Sequence, residues 1–134
     1  MKQILEGIQY IHQECLVHGN LKPENIMYEN AENEDGTIKI TDTALNAILD
    51  KDLVKSSLNH SAQYCVAPET LRNESGNPAT DMWAVGAFAY SLLCGEEPFK
   101  TKDQEELYTK ILKAEIDTES PNFKRLSINA RVYK

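Results

Sequence analysis

Cysteine is scarce in this sequence of 134 residues, in which Cys15, Cys65 and Cys94 stand far apart. None of them forms a C-x-x-C pair, the spacing typical of zinc and redox sites, and their odd number gives no disulfide framework. His12 and His60 also have no Cys or Asp partner at the spacing of metal ligands. The pattern predicts free, buried thiols in a reducing compartment, the cytosol or the nucleus.

Long hydrophobic runs and basic clusters are missing as well. The longest apolar stretch, residues 83–93, is interrupted by Gly86 and Ser91 and is too short to cross a bilayer. The first residues carry no apolar signal region. The formal net charge is −7, and an acidic chain is repelled by phosphate backbones and anionic lipid. We therefore expect no signal peptide, no transmembrane segment and neither a nucleic-acid nor a membrane partner.

The first half of the sequence contains one helical pattern and two short strand patterns. Apolar residues at helical spacing predict a helix over residues 2–14. Residues 25–28 and the alternation at Ile38 and Ile40 predict a small β-hairpin. Residues 43–66 show no period, which predicts an extended loop.

Helical patterns dominate the second half. Pro68 is expected to begin a helix as its first residue. A long helix is predicted over residues 82–94, with Thr80 or Asp81 as its N-cap and Gly95 after its last residue. This helix is apolar nearly all round, so we expect it to run through a core.

Two further helical segments follow, and together with the hairpin they define the fold class. Residues 102–113 predict an amphipathic helix with Leu107, Ile111 and Leu112 facing the core. Residues 125–134 have the pattern of a helix that begins and is not completed. The predicted fold is mainly α with a small β-hairpin, in one domain.

Five short motifs stand in order along the chain. They are H-G-N-L-K-P-E-N at residues 18–25, D-T-A at 42–44, A-P-E at 67–69, D-M-W-A-V-G at 81–86 and G-E-E-P-F at 95–99. These are similar to the protein-kinase catalytic loop, the D-F-G metal motif, the A-P-E motif, and the start and end of the central helix. The sequence therefore resembles the C-terminal lobe of a serine/threonine protein kinase. Its residue pattern is similar to that of the calcium/calmodulin-dependent group.

The resemblance implies roles for individual residues. The family's magnesium ligands correspond to Asn25 and Asp42, and its phosphate-contacting lysine corresponds to Lys22. Asn20 stands at the position of the proton-accepting aspartate. ATP and magnesium are thus possible cofactors by resemblance, although we expect neither to bind this chain alone tightly. Structural roles in the same motifs are implied for His18, Glu69, Asp81, Trp83 and Gly86.

The sequence departs from the family pattern at positions that carry chemistry. Asn20 replaces the aspartate, and a carboxamide cannot take up a proton near pH 7. Gly19 replaces the arginine that pairs with an activation-loop phosphate. Thr43 and Ala44 replace the Phe and Gly of D-F-G, and Ala62 replaces a docking-loop Thr or Ser. The motifs with packing roles remain. The pattern therefore indicates that the structural scaffold is retained and that catalytic side chains are lost.

The resemblance covers residues 1–134 as a partial kinase-like domain, and we expect its N-terminal lobe and final helices to be absent. Glu69 would then lack the arginine that pairs with it in the family. The expected function is that of a degenerate, non-catalytic pseudokinase fragment that binds protein partners of unknown identity, with possible self-association. Uncovered apolar surface is expected at the start of the first helix and in the tail, at Leu126, Ile128, Val132 and Tyr133.

Two alternatives stay open. The chain is an enzyme if it is part of a serine/threonine kinase, or is completed by another chain, and transfers the γ-phosphate of ATP to protein Ser or Thr. It is a non-functional product if it derives from a truncated gene.

Overall fold

The structure, a computed structural model, describes residues 1–30, 36–43 and 62–132. These ranges are mainly helical with one two-stranded antiparallel sheet, so the predicted fold class is confirmed. Most of the predicted loop at 43–66, including Ala44, and Tyr133 in the tail lie outside the described residues. The elements are α1 (Lys2–Gln13), a 3-10 turn (Pro23–Asn25), β1 (Ile26–Tyr28), β2 (Ile38–Ile40), a second 3-10 turn (Gln63–Cys65), α2 (Pro68–Leu71), α3 (Pro78–Cys94), α4 (Gln104–Lys113), α5 (Pro121–Lys124) and α6 (Ile128–Val132).

Helix α1 packs directly on the hairpin. Its predicted apolar face is buried at Ile4, Ile8 and Ile11. A side chain at Gly7 would place its Cβ 2.7 Å from Cδ1 of Ile40, so the end of the Ile40 side chain would have to move to make room for it. The Gln3 side chain also accepts a hydrogen bond from the Ile38 N–H, at 2.9 Å. The helix is thus held at a fixed distance from β2.

The hairpin brings two candidate site residues to the same end of the sheet. Ile26 pairs with Ile40 in antiparallel register, so Asn25 before β1 lies beside the residues that follow β2. The Thr41 N–H donates to the backbone oxygen of Asn25 at 2.9 Å, which fixes this closure one residue before Asp42.

Helix α3 begins four residues earlier than predicted, and its cap is Asn77 rather than Thr80 or Asp81. The Asn77 side chain accepts from the Ala79 N–H at 2.8 Å, and the Thr80 hydroxyl accepts from the Asn77 N–H at 3.2 Å. This reciprocal capping box uses Thr80 inside the first turn, which leaves Asp81 free to face inward. The predicted end is confirmed, because Gly95 follows the helix in the left-handed conformation.

The expectation that α3 runs through a core is confirmed only in part. One side packs in the core through Ala84, Val85 and Ala87. The side that carries Met82 and Leu93 is open, with both residues about half exposed, and Leu92 near the end of the helix is about half exposed as well. An apolar sequence pattern indicates that a helix face gains stability from burial. It does not show whether another part of the protein buries that face.

The segment after α3 is confirmed only in part. Helix α4 begins at Gln104 because the Asp103 side chain accepts from the Glu106 N–H at 2.8 Å and caps it. Ile111 is fully buried, whereas Leu112 is 40% exposed and does not face the core as predicted. The two residues are adjacent on a helix, so their side chains point about 100° apart.

A short helix, α6, lies within the segment 125–134, where the sequence predicts a helix that is not completed, and the short helix α5 that precedes it was not predicted. Ile128 is exposed as expected, while Leu126 is partly buried. Upstream, Lys100 joins the segment after α3 to the segment before α5 through ion pairs with Glu96 at 2.9 Å and Asp117 at 3.3 Å. No helix in the described ranges has both the length and the apolar character needed to span a bilayer.

Candidate functional site

The loop that carries the first motif is anchored on the buried side chain of Asp81, which is only 1% exposed. Asp81 Oδ2 accepts from the backbone N–H of His18 at 2.9 Å, and Oδ1 accepts from that of Gly19 at 2.8 Å. Carboxylate hydrogen bonds of this kind are among the stronger ones in proteins. Helix α3 therefore fixes the path of the loop just before Asn20.

His12 provides a third contact to Asp81, and sequence reasoning missed it. Its Nε2 atom lies 2.8 Å from Asp81 Oδ2, across 69 residues of chain. Spacing along the sequence gives no signal for this pair, because it depends on how α1 is placed against α3. The contact supplies a polar partner to a carboxylate that would otherwise be costly to bury.

His18 is completely buried and connects the loop to the end of β2. Its Nε2 atom donates to the backbone oxygen of Thr41 at 2.8 Å, and its Nδ1 atom accepts from the Asn20 N–H at 3.2 Å. The two contacts together require the ring proton to be on Nε2. The ring thus places Asn20 relative to the residues around Asp42.

Asn25 and Asp42 are the residues that the resemblance assigns to a metal ion. Asn25 is 4% exposed, and its side-chain N–H donates to the backbone oxygen of Asn20 at 2.9 Å. Its carboxamide oxygen remains as an acceptor, and Asp42 offers an exposed carboxylate. Magnesium prefers oxygen ligands and often takes only one or two carboxylates from the protein, so this donor set fits it. Three converging His, Cys, Asp or Glu side chains do not occur in the described part of the chain.

A narrow cleft of about 30 Å³ lies between the loop and the residues before α2. Asn20 and Lys22 line one side of it, and Ala62 and Cys65 line the other. Burial, together with the charges of nearby carboxylates, raises the pKa of the Cys65 thiol to about 12. Cys65 is therefore protonated at neutral pH and does not act as a nucleophile.

Glu69 has a partner, contrary to the expectation from sequence. Its Oε1 atom accepts a hydrogen bond from the Thr80 hydroxyl at 2.8 Å. Thr80 is buried at the start of α3, so this contact holds the A-P-E segment on the same helix that anchors the loop. The Glu69 carboxylate thus has a neutral hydroxyl as its hydrogen-bond partner, whereas the sequence analysis considered only a charged one.

The remaining motif residues lie away from the loop. Trp83 is partly buried and stacks on Phe99, with ring centroids 6.1 Å apart, and its Nε1 atom has no hydrogen-bond partner among the described residues. Gly86 lies on the exposed side of α3. The structure therefore brings His18, Asn20, Asn25 and Asp81 together and leaves Trp83 and Gly86 outside this group.

Comparisons with known proteins agree with this arrangement. The family model described as "Protein kinase domain" matches residues 1–132. The chain is 38% identical over 133 residues to a probable myosin light chain kinase of Dictyostelium discoideum, covering 99% of this chain and 38% of that protein. It is 35% identical over 131 residues to a calcium/calmodulin-dependent protein kinase type 1 of Macrobrachium nipponense, covering 98% and 37%.

A calcium/calmodulin-dependent protein kinase type IV of Mus musculus is 38% identical over 132 residues, which cover 98% of this chain and 28% of that protein. The chain thus spans about a third of the length of these relatives. The family match, the relatives and the loop anchored on α3 lead to one conclusion. The chain belongs to the protein kinase domain family.

Proposed function

We propose that this chain is a catalytically impaired kinase domain, a pseudokinase, that acts by binding protein. The observation that carries the proposal is Asn20. Its backbone is fixed on both sides, by the His18 ring and by the Asn25 side chain, so the position is ordered. Its carboxamide stands where the family has the acceptor for the hydroxyl proton, and such acceptors contribute roughly 10²–10⁴-fold to rate.

Three further substitutions support this proposal. Gly19 has no side chain to pair with an activation-loop phosphate, Thr43 replaces the aromatic residue of the metal motif, and Ala62 has no hydroxyl at the cleft. The Gly19 backbone is nevertheless bound to Asp81, as the loop geometry requires. The chain therefore combines a maintained scaffold with altered chemical groups.

Exposed apolar residues support the binding role. Leu5 in α1 and Met82, Leu92 and Leu93 in α3 are each about half exposed. Leu5 and Met82 border the same groove, and grouped apolar surface on a folded domain usually marks a site of protein interaction. The free thiols of the described chain, with Cys15 exposed contrary to expectation, are compatible with a cytosolic or nuclear compartment.

A second candidate function is serine/threonine phosphoryl transfer from ATP, which the relatives' names and three retained residues favour. Under this alternative, Asn25 and Asp42 would hold a magnesium ion, and Lys22 would contact the transferring phosphate. The metal would supply neutralisation of the triphosphate charge. Asn20 would orient the substrate hydroxyl through a hydrogen bond, without removing its proton.

Thermal melting with and without ATP and magnesium distinguishes the two functions. Ligand at about 1,000 times its Kd stabilises the folded state by roughly 4 kcal/mol, which for a domain of this size raises Tm by roughly 15 degrees. We expect little or no shift. A shift of that size, abolished by Asp42→Ala, would favour the enzyme.

A transfer assay tests the impairment directly. The purified chain should show no magnesium-dependent phosphate incorporation into generic peptides. Asn20→Asp alone should not restore transfer, because Gly19, Thr43 and Ala62 remain changed. Incorporation by the unmodified chain that Asp42→Ala removes would overturn the proposal.

A further inference from the structure

We draw no further inference here: the strongest candidate, the open groove along α1 that Leu5, Ile8 and Met82 border, is an unpartnered apolar surface, and nothing in the structure shows what covers it.

Discussion

The buried carboxylate of Asp81 offers the most direct test of how this fold supports its loop. Asp81→Ala removes the acceptor of the His18 and Gly19 amides and of the His12 ring, at distances of 2.8–2.9 Å. Hydrogen bonds to a charged group contribute about 1.5–3 kcal/mol each, but the variant also removes the cost of burying the charge. We expect a net loss of about 3–5 kcal/mol in the free energy of unfolding.

This loss is large on the scale of a natural domain, whose total stability is about 5–15 kcal/mol. It corresponds to a decrease in Tm of roughly ten degrees or more. Asp81→Asn should lower the free energy of unfolding by less, about 2 kcal/mol. The amide oxygen still accepts from some of these donors, whereas the amide nitrogen cannot accept from the others. Urea unfolding measures both variants on the same scale.

Hydrogen exchange shows whether the loss is located in the loop. The amides of His18 and Gly19 should exchange faster in Asp81→Asn than in wild type, while the amide of the buried Ile111 in α4 changes little. Asp42→Ala is the control, since it removes an exposed aspartate from the same site. An Asp81→Ala variant as stable as this control would show that the carboxylate does not support the loop, and the reasoning would be refuted.

Two further predictions concern titratable groups. The Ser120 hydroxyl and Lys100 lower the pKa of Glu96, so this carboxylate stabilises the fold above the ordinary glutamate range, and the contribution is lost as pH falls through the lowered pKa. Glu96→Gln should therefore make Tm less dependent on pH in the acid range, and equal slopes for the variant and the wild-type chain would contradict this. With a thiol reagent at mildly alkaline pH, exposed Cys15 should react fast and Cys65, with a pKa of about 12, slowly. Cys15→Ser should remove the fast phase in a kinetic trace, and its persistence would disprove the assignment.

Local patterns in the sequence were enough to predict much of this fold. The spacing of Ile4, Ile8 and Ile11 predicted α1 and its buried face, and the alternation around Lys39 predicted β2. Gly95 predicted the end of α3, because a left-handed residue there stops a helix. Each of these features depends on residues within a few positions of one another.

The errors came from features that local patterns do not determine. The cap of α3 was missed because the apolar period begins at Met82, whereas the capping box at Asn77 is set by side-chain hydrogen bonds before that period. The pair of His12 and Asp81 joins elements that lie far apart in the sequence. The exposure of Leu93 depends on what covers the helix, which the helix's own sequence does not specify.

The contact between His12 and Asp81 cannot form until long after α1 has been synthesised. During synthesis α1 is made first, and Asp81 follows His12 by 69 residues. At about 5–20 residues per second, that interval is roughly 3–14 s. Throughout it, the apolar face of α1 at Ile4, Ile8 and Ile11 has no α3 to pack against. The nascent chain therefore presents a short amphipathic helix for seconds before its final contacts with α3 exist.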